Sequence, residues 1–96
     1  MNTRSRVSRA MYDAVENMDG KDDLLMDYVV ECRIAAHRSR VPVRWPYSNA
    51  ARKALSRILV ACGMNPSMAR RVSSKMSLRQ IVRAAGRYGR SLRKGD

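Results

Sequence analysis

The sequence predicts an all-α fold, a compact bundle of about five short helices with a basic C-terminal half, and three observations lead there. Apolar residues recur at the i, i+3, i+4 spacing of a helical stripe in one segment after another. No stretch alternates apolar and polar residues convincingly with the period of two that a half-buried strand requires. Between the stripes stand helix stop and start signals: Gly, Pro, and Ser or Asn at cap positions. At 96 residues the chain makes one domain with a modest core. With no Phe and seven Met, that core should be aliphatic and adaptable. Within the single domain, 1–96, an N-terminal helical pair (1–39) is joined by an extended connector (40–47) to a basic helical half (48–96).

The first helix is expected over 3–18, where Val7, Ala10, Met11, Ala14, Val15 and Met18 form one stripe. Its charges oppose the macrodipole: Arg4, Arg6 and Arg9 crowd the N-terminus, while Asp13 and Glu16 lie toward the other end. Basic residues at a disfavoured end suggest a contact outside the helix. Asp19-Gly20 then turns the chain. The second helix, over 22–39, follows the dipole, opening on Asp22 and Asp23 and closing on His37 and Arg38. Leu24, Leu25, Tyr28, Val29, Cys32, Ala35 and Ala36 give it a broad apolar face, as expected of a central helix buried against several neighbours.

Pro42 and Pro46 constrain the residues before them, so 41–47 reads as an extended connector. Trp45, with Arg44 and Tyr47, has two readings: stacking on a base or anchoring a partner, or plugging the groove between the two halves. The third helix starts at Ser48 or Asn49, both good caps, and ends at Cys62 before Gly63. Ala51, Ala54, Leu55, Ile58, Leu59 and Cys62 are its stripe, with Arg52, Lys53, Ser56 and Arg57 mostly off it. A short helix over 67–75 points Met68 and Val72 inward. Ser77-Leu-Arg-Gln80 is a capping box, so a last helix runs from there to about 92. Gly86 and Gly89 weaken its final turns, and the tail from Tyr88 onward is expected to order only on binding.

Charge carries most of the functional information. Between positions 33 and 95 there is no Asp or Glu, and sixteen of the twenty Lys and Arg lie there. Seven of the eight acids fall between Asp13 and Glu31, leaving a net charge of +12. Solvated surfaces normally mix both signs, so an acid-free region of this length points to a polyanionic partner, of which nucleic acid is the commonest.

Two features give that partner a place to bind. In Gly63-Met-Asn-Pro-Ser-Met-Ala-Arg-Arg-Val72, a helix ends in Gly, a polar turn follows, and a short helix then carries small and basic residues outward. Residues 50–77 resemble the helix-turn-helix of DNA-binding proteins, although Leu59 stands where that motif's first helix usually carries a small residue. The resemblance implies that Ser67, Arg70, Arg71, Ser74 and Lys75 face the major groove. The second feature is a basic ladder, Arg71, Lys75, Arg79, Arg83 and Arg87, continued by Arg90 and Lys94. On the last helix, Leu78, Ile81, Val82, Ala85, Tyr88 and Leu92 fall on one face. Arg79, Arg83, Arg87 and Arg90 fall opposite, within roughly 80°. Like charges four apart repel by about a few tenths of a kcal/mol each, a cost removed on meeting phosphates.

An enzyme is not expected. The acids cluster on the first two helices, no glycine-rich phosphate loop follows a strand, and the serines lack a paired base. His37 reads as an exposed helix-end residue. Cys32 and Cys62, thirty residues apart on apolar faces, read as buried reduced thiols, and neither a metal nor a cofactor is implied. No apolar run approaches the roughly 20 residues of a membrane span, and no signal-like stretch follows the N-terminal arginines, so the cytoplasm is the expected compartment.

The leading expectation is a small nucleic-acid-binding regulator of the bacterial or phage type, with DNA ahead of RNA. Two alternatives remain beside it: a module that clamps an acidic surface of a larger machine such as a polymerase or nuclease, and a packaging protein that neutralises charge without reading sequence. The acidic patch from Asp13 to Glu31 also offers self-association, by pairing with another copy's basic face.

Overall fold

A computed structural model of the protein describes residues 3–39 and 48–94. It is all-α. Five helices follow in order: α1 (Thr3–Glu16), α2 (Asp22–Ser39), α3 (Asn49–Ala61), α4 (Pro66–Lys75) and α5 (Leu78–Lys94), with no strand among the described residues. Arg44, Trp45 and Tyr47 lie outside the described residues.

The core is built on α3. Ala51, Ala54, Leu55, Ile58 and Leu59 are all buried, as the stripe predicts, and Cys62 just beyond the helix joins them. The flanks of the predicted stripe set the helix ends. Ser48 is the N-cap, its Oγ accepting the Ala51 N–H at 3.0 Å. At the other end Gly63 takes φ +102°, a left-handed conformation that glycine adopts without strain. Its N–H donates to the Val60 carbonyl at 3.0 Å, and the Met64 N–H donates to the Leu59 carbonyl at 2.9 Å. This pair of bonds is a Schellman closure, completed by burial of both Met64 and Leu59.

The expectation that α2 is the central helix is not met. Of its described side chains only Tyr28 is buried; Leu24, Leu25, Cys32 and Ala35 are half-buried, whereas Val29 and Ala36 are exposed. Helix α2 packs chiefly on α3, which also carries α4, while α1 packs on α5. The broad apolar face meets α3 along one side only, with the Tyr28 hydroxyl reaching past it to accept the Leu78 N–H at the start of α5 at 3.3 Å.

Helix α1 ends two residues earlier than expected. Asn17 and Met18 form a turn through bonds to the Ala14 and Val15 carbonyls, and Gly20, at φ +85°, completes the reversal. The Asn17 side-chain amide donates to the Asp13 carbonyl at 3.0 Å and to the Cys62 carbonyl at 3.1 Å, tying the end of α1 to the end of α3. Arg9 finds its acid within the same helix, Asp13 at 4.0 Å, an exposed pair of little energetic weight.

Helix α5 is continuous to Lys94, so the structure gives no break after Tyr88. Its capping box is complete: Gln80 Oε1 accepts the Ser77 N–H at 2.8 Å, and Ser77 Oγ accepts the Gln80 N–H at 3.3 Å. Gly89 is buried because the Tyr12 ring of α1 lies across it, with Tyr12 and Tyr88 in tilted contact at 5.8 Å. Val82 and Leu92, placed on the inner face by the sequence pattern, are instead exposed.

Candidate nucleic-acid interface

Two helices and the turn between them place most of the predicted contact residues. Asn65, not foreseen as a cap, begins α4: its Oδ1 accepts the N–H groups of Ser67 and Met68 at 2.9 and 3.4 Å, and Pro66 occupies the first helical position. The helix buries Ala69, Val72 and Ser73 against α3, with Met68 half-buried. With that face fixed, Ser67, Arg70, Arg71, Ser74 and Lys75 are all exposed. Four of these, Ser67, Arg70, Arg71 and Ser74, border a shallow depression of about 280 Å³ on the outer side of α4. The Ser74 hydroxyl donates to the Arg70 carbonyl at 2.7 Å, which leaves its oxygen free to act only as an acceptor.

Beside this depression runs a larger groove of about 480 Å³ between α3 and α4. Arg52, Lys53 and Arg57 enter it from α3, and Arg70 from α4. Three serines, Ser56, Ser73 and Ser74, complete its walls with Asn49, and no acid lines it. Arg52 is half-buried, and its Nε is a buried donor without a hydrogen-bond partner. A buried donor left unpaired costs about 1–3 kcal/mol, and more when it is charged. The sequence placed Arg52, Lys53 and Arg57 off the core stripe; that they converge with Arg70 in one groove is a product of the α3–α4 turn.

The ladder is divided. Met76 and Ser77 interrupt it between α4 and α5, so Arg71 and Lys75 belong to one helix and the later arginines to another. On α5, Arg79, Arg83, Arg87 and Arg90 are all exposed, as are Arg93 and Lys94. At about 100° per residue the four arginines and Lys94 fall within roughly 80°, opposite the buried Ile81, Ala85 and Gly89. Helix α5 packs chiefly on α1, and Arg87 borders a separate cleft between those two helices, beside Val7, Met11 and Tyr88. The predicted residues therefore form two basic surfaces, one on α3 and α4 and one on α5.

None of the twelve Lys and Arg of α3, α4 and α5 makes an ion pair among the described residues, where Arg9–Asp13 is the only such pair. Eleven of the twelve are exposed, Arg52 being the exception. The acids of the predicted self-association patch are also at the surface: Asp13, Glu16, Asp19, Asp22, Asp23 and Asp27 are exposed and Glu31 is half-buried.

Neither cysteine is bonded. Cys62 is buried, its thiol donating to the Asn17 carbonyl at 3.5 Å, while Cys32 is only half-buried. Burial pushes the Cys62 thiol above its ordinary range, with nearby Lys21 opposing. Among the described residues no group of three or more His, Cys, Asp or Glu is placed to hold a metal ion, and no helix is long and apolar enough to cross a membrane. No protein-family model, characterised protein or solved structure matches this chain.

Proposed function

We propose that this protein is a small nucleic-acid-binding regulator, with DNA as its polymer, that sets α4 into a groove and holds phosphates with its basic side chains. The observation that carries this reading is the set of twelve cations on α3–α5, eleven of them exposed, with no acid on those helices. Two further features support it. The α3–α4 turn and its short, polar, outward-facing second helix have the shape that a major groove of about 12 Å accepts. The convergence of Arg52, Lys53, Arg57 and Arg70 on one acid-free groove suits an anion entering it. In this reading Arg70 and Arg71 are the side chains best placed to reach a guanine edge, whereas Arg79, Arg83, Arg87 and Arg90 hold backbone. RNA is the variant of the same reading in which phosphate and shape contacts predominate.

The test is binding to duplex DNA and to RNA of matched length across a salt series. With about six phosphate contacts, affinity should fall by about three decades between 50 and 200 mM salt. An affinity indifferent to salt, or no binding at low salt, would refute the proposal.

A further inference from the structure

Helix α2 carries two apolar sides, and the fold uses one. Tyr28 and its neighbours face α3 and the start of α5, while Met26, Val29, Val30 and Ile34 remain 61%, 39%, 43% and 38% exposed, Val30 at the rim of the α2–α3 cleft. Their spacing, i, i+3, i+4 and i+8, is that of a stripe made to meet another helix. We propose that this face is a two-fold interface, in which α2 of one copy lies antiparallel on α2 of a second copy of this chain.

The choice of a second copy rests on charge. Helix α2 opens on Asp22 and Asp23, continues with Asp27 and Glu31, and ends with Arg33, His37 and Arg38. It is the only one of the five helices in which acids outnumber Lys and Arg. A chain of net charge +12 repels its own copies nearly everywhere else, so this is the surface on which self-association opposes that charge least. Polarity along the helix then selects direction. In a parallel pair the acidic ends would meet each other; in an antiparallel pair each acidic end meets a basic one.

Register follows from the stripe. Centring the dyad on Val30 sets Met26 against Ile34 of the second copy. It also sets Asp23 against His37, both close to the line of the stripe, so one register satisfies apolar and charged positions together. A two-fold contact is self-complementary and closes, unlike the head-to-tail pairing of an acidic patch with a distant basic face. The exposed apolar stripe between the charged ends favours the closed form. Two copies joined this way present two α4 helices, which suits paired half-sites on a duplex but does not depend on them.

One pair of helices buries less than the roughly 800 Å² per partner of a standard interface, so dissociation in the micromolar range is expected. Sedimentation equilibrium from about 1 to 500 µM on the nucleic-acid-free full chain should show a monomer–dimer equilibrium. Val30→Lys, which brings two like charges together at the dyad, should weaken dimerisation at least tenfold while helix content stays unchanged. Asp23→Lys and His37→Glu should each weaken it several-fold, and the double variant should regain most of the loss, because only the antiparallel register pairs these positions. A chain that is monomeric at 500 µM overturns the proposal and leaves the face to a different protein. So does a dimer unaffected by Val30→Lys, or a charge swap that regains nothing. Each of these readouts stands apart from DNA binding, so the interface and the proposed function fail independently.

Discussion

Two glycines in one helix should respond differently to alanine, one variant gaining stability and the other gaining none or losing it. Gly86 and Gly89 both lie inside α5, where replacing Gly by Ala relieves backbone entropy by about 0.8–1.0 kcal/mol. At Gly86 a Cβ would meet no atom within 4 Å, so Gly86→Ala should realise the full gain. For a domain of this size that is a rise in Tm of about 4–8 °C. At Gly89 the new Cβ would stand 2.9 Å from Tyr12 Cε2 and 3.5 Å from Cδ2. The ring cannot retreat freely, because it is held on α1 and against Tyr88 at 5.8 Å. Overpacking of this kind costs about 1–3 kcal/mol, which cancels the propensity gain or exceeds it by up to about 2 kcal/mol. The two variants should therefore differ by about 1–3 kcal/mol in urea denaturation at one protein concentration. Placing Gly89→Ala in a Tyr12→Leu background should recover part of the loss, since the residues are then no longer opposed. Equal stabilisation by both alanines would refute the packing of α1 on α5 described above.

The cysteines should separate by reactivity: an aromatic disulfide reagent should modify half-buried Cys32 well before Cys62, whose thiol is buried and resists ionisation. Because the folded Cys62 thiol titrates above its ordinary value of 9.0, the stability it confers is complete below that pH and lost as pH rises through the raised value; denaturation midpoints of wild type and Cys62→Ala should therefore converge in alkali. At the interface, Arg70→Ala should flatten sequence preference by about 1–3 kcal/mol, whereas Arg83→Ala should weaken all sequences about equally and lower the salt slope by about one unit. If those two arginine variants behave alike in a competition assay, α3 and α4 are only a helical hairpin.

What could be read in advance divides along physical lines. Ser48, Gly63 and the Ser77–Gln80 box were legible because a cap is a local hydrogen-bonding arrangement, written in three or four consecutive residues. The α3 stripe was legible because its apolar residues fall on one side only. Helix α2 misled because apolar residues lie on both its sides, and periodicity does not say which side finds a neighbour. Asn65 caps α4 with Pro66 at the first helical position, so the helix begins one residue before the expected 67. Gly89 looked like a weak point because its reason is the Tyr12 ring on another helix, a contact no local pattern contains. The individual cations were legible as outward-facing, since they lie off the core stripes. Their convergence was not, because Arg70 meets Arg52 and Arg57 only through the angle of the α3–α4 turn.

The arrangement of charge bears on stability as well as on binding. On α5 the pairs Arg79–Arg83 and Arg83–Arg87 each repel by about a few tenths of a kcal/mol, and Arg90–Lys94 adds a third. In the α3–α4 groove four cations share walls that hold no acid, and the Arg52 Nε among them is desolvated without a partner. Acids were within reach of this chain, because α2 carries four of them along the same α3 scaffold; Asp27 and Glu31 border a cleft with Lys53 and Arg57. No ion pair closes across that cleft among the described residues. A sequence under selection for stability alone gains by interspersing signs on each helix, as α1 does with Arg9 and Asp13. On α3–α5 one sign stands alone instead, so the free protein keeps a modest repulsion that a bound anion would remove. That repulsion is small against a domain stability of about 5–15 kcal/mol, and can therefore be carried. Phosphate contacts gain from the same segregation, since a cation already paired to an acid must give up that partner before it takes another.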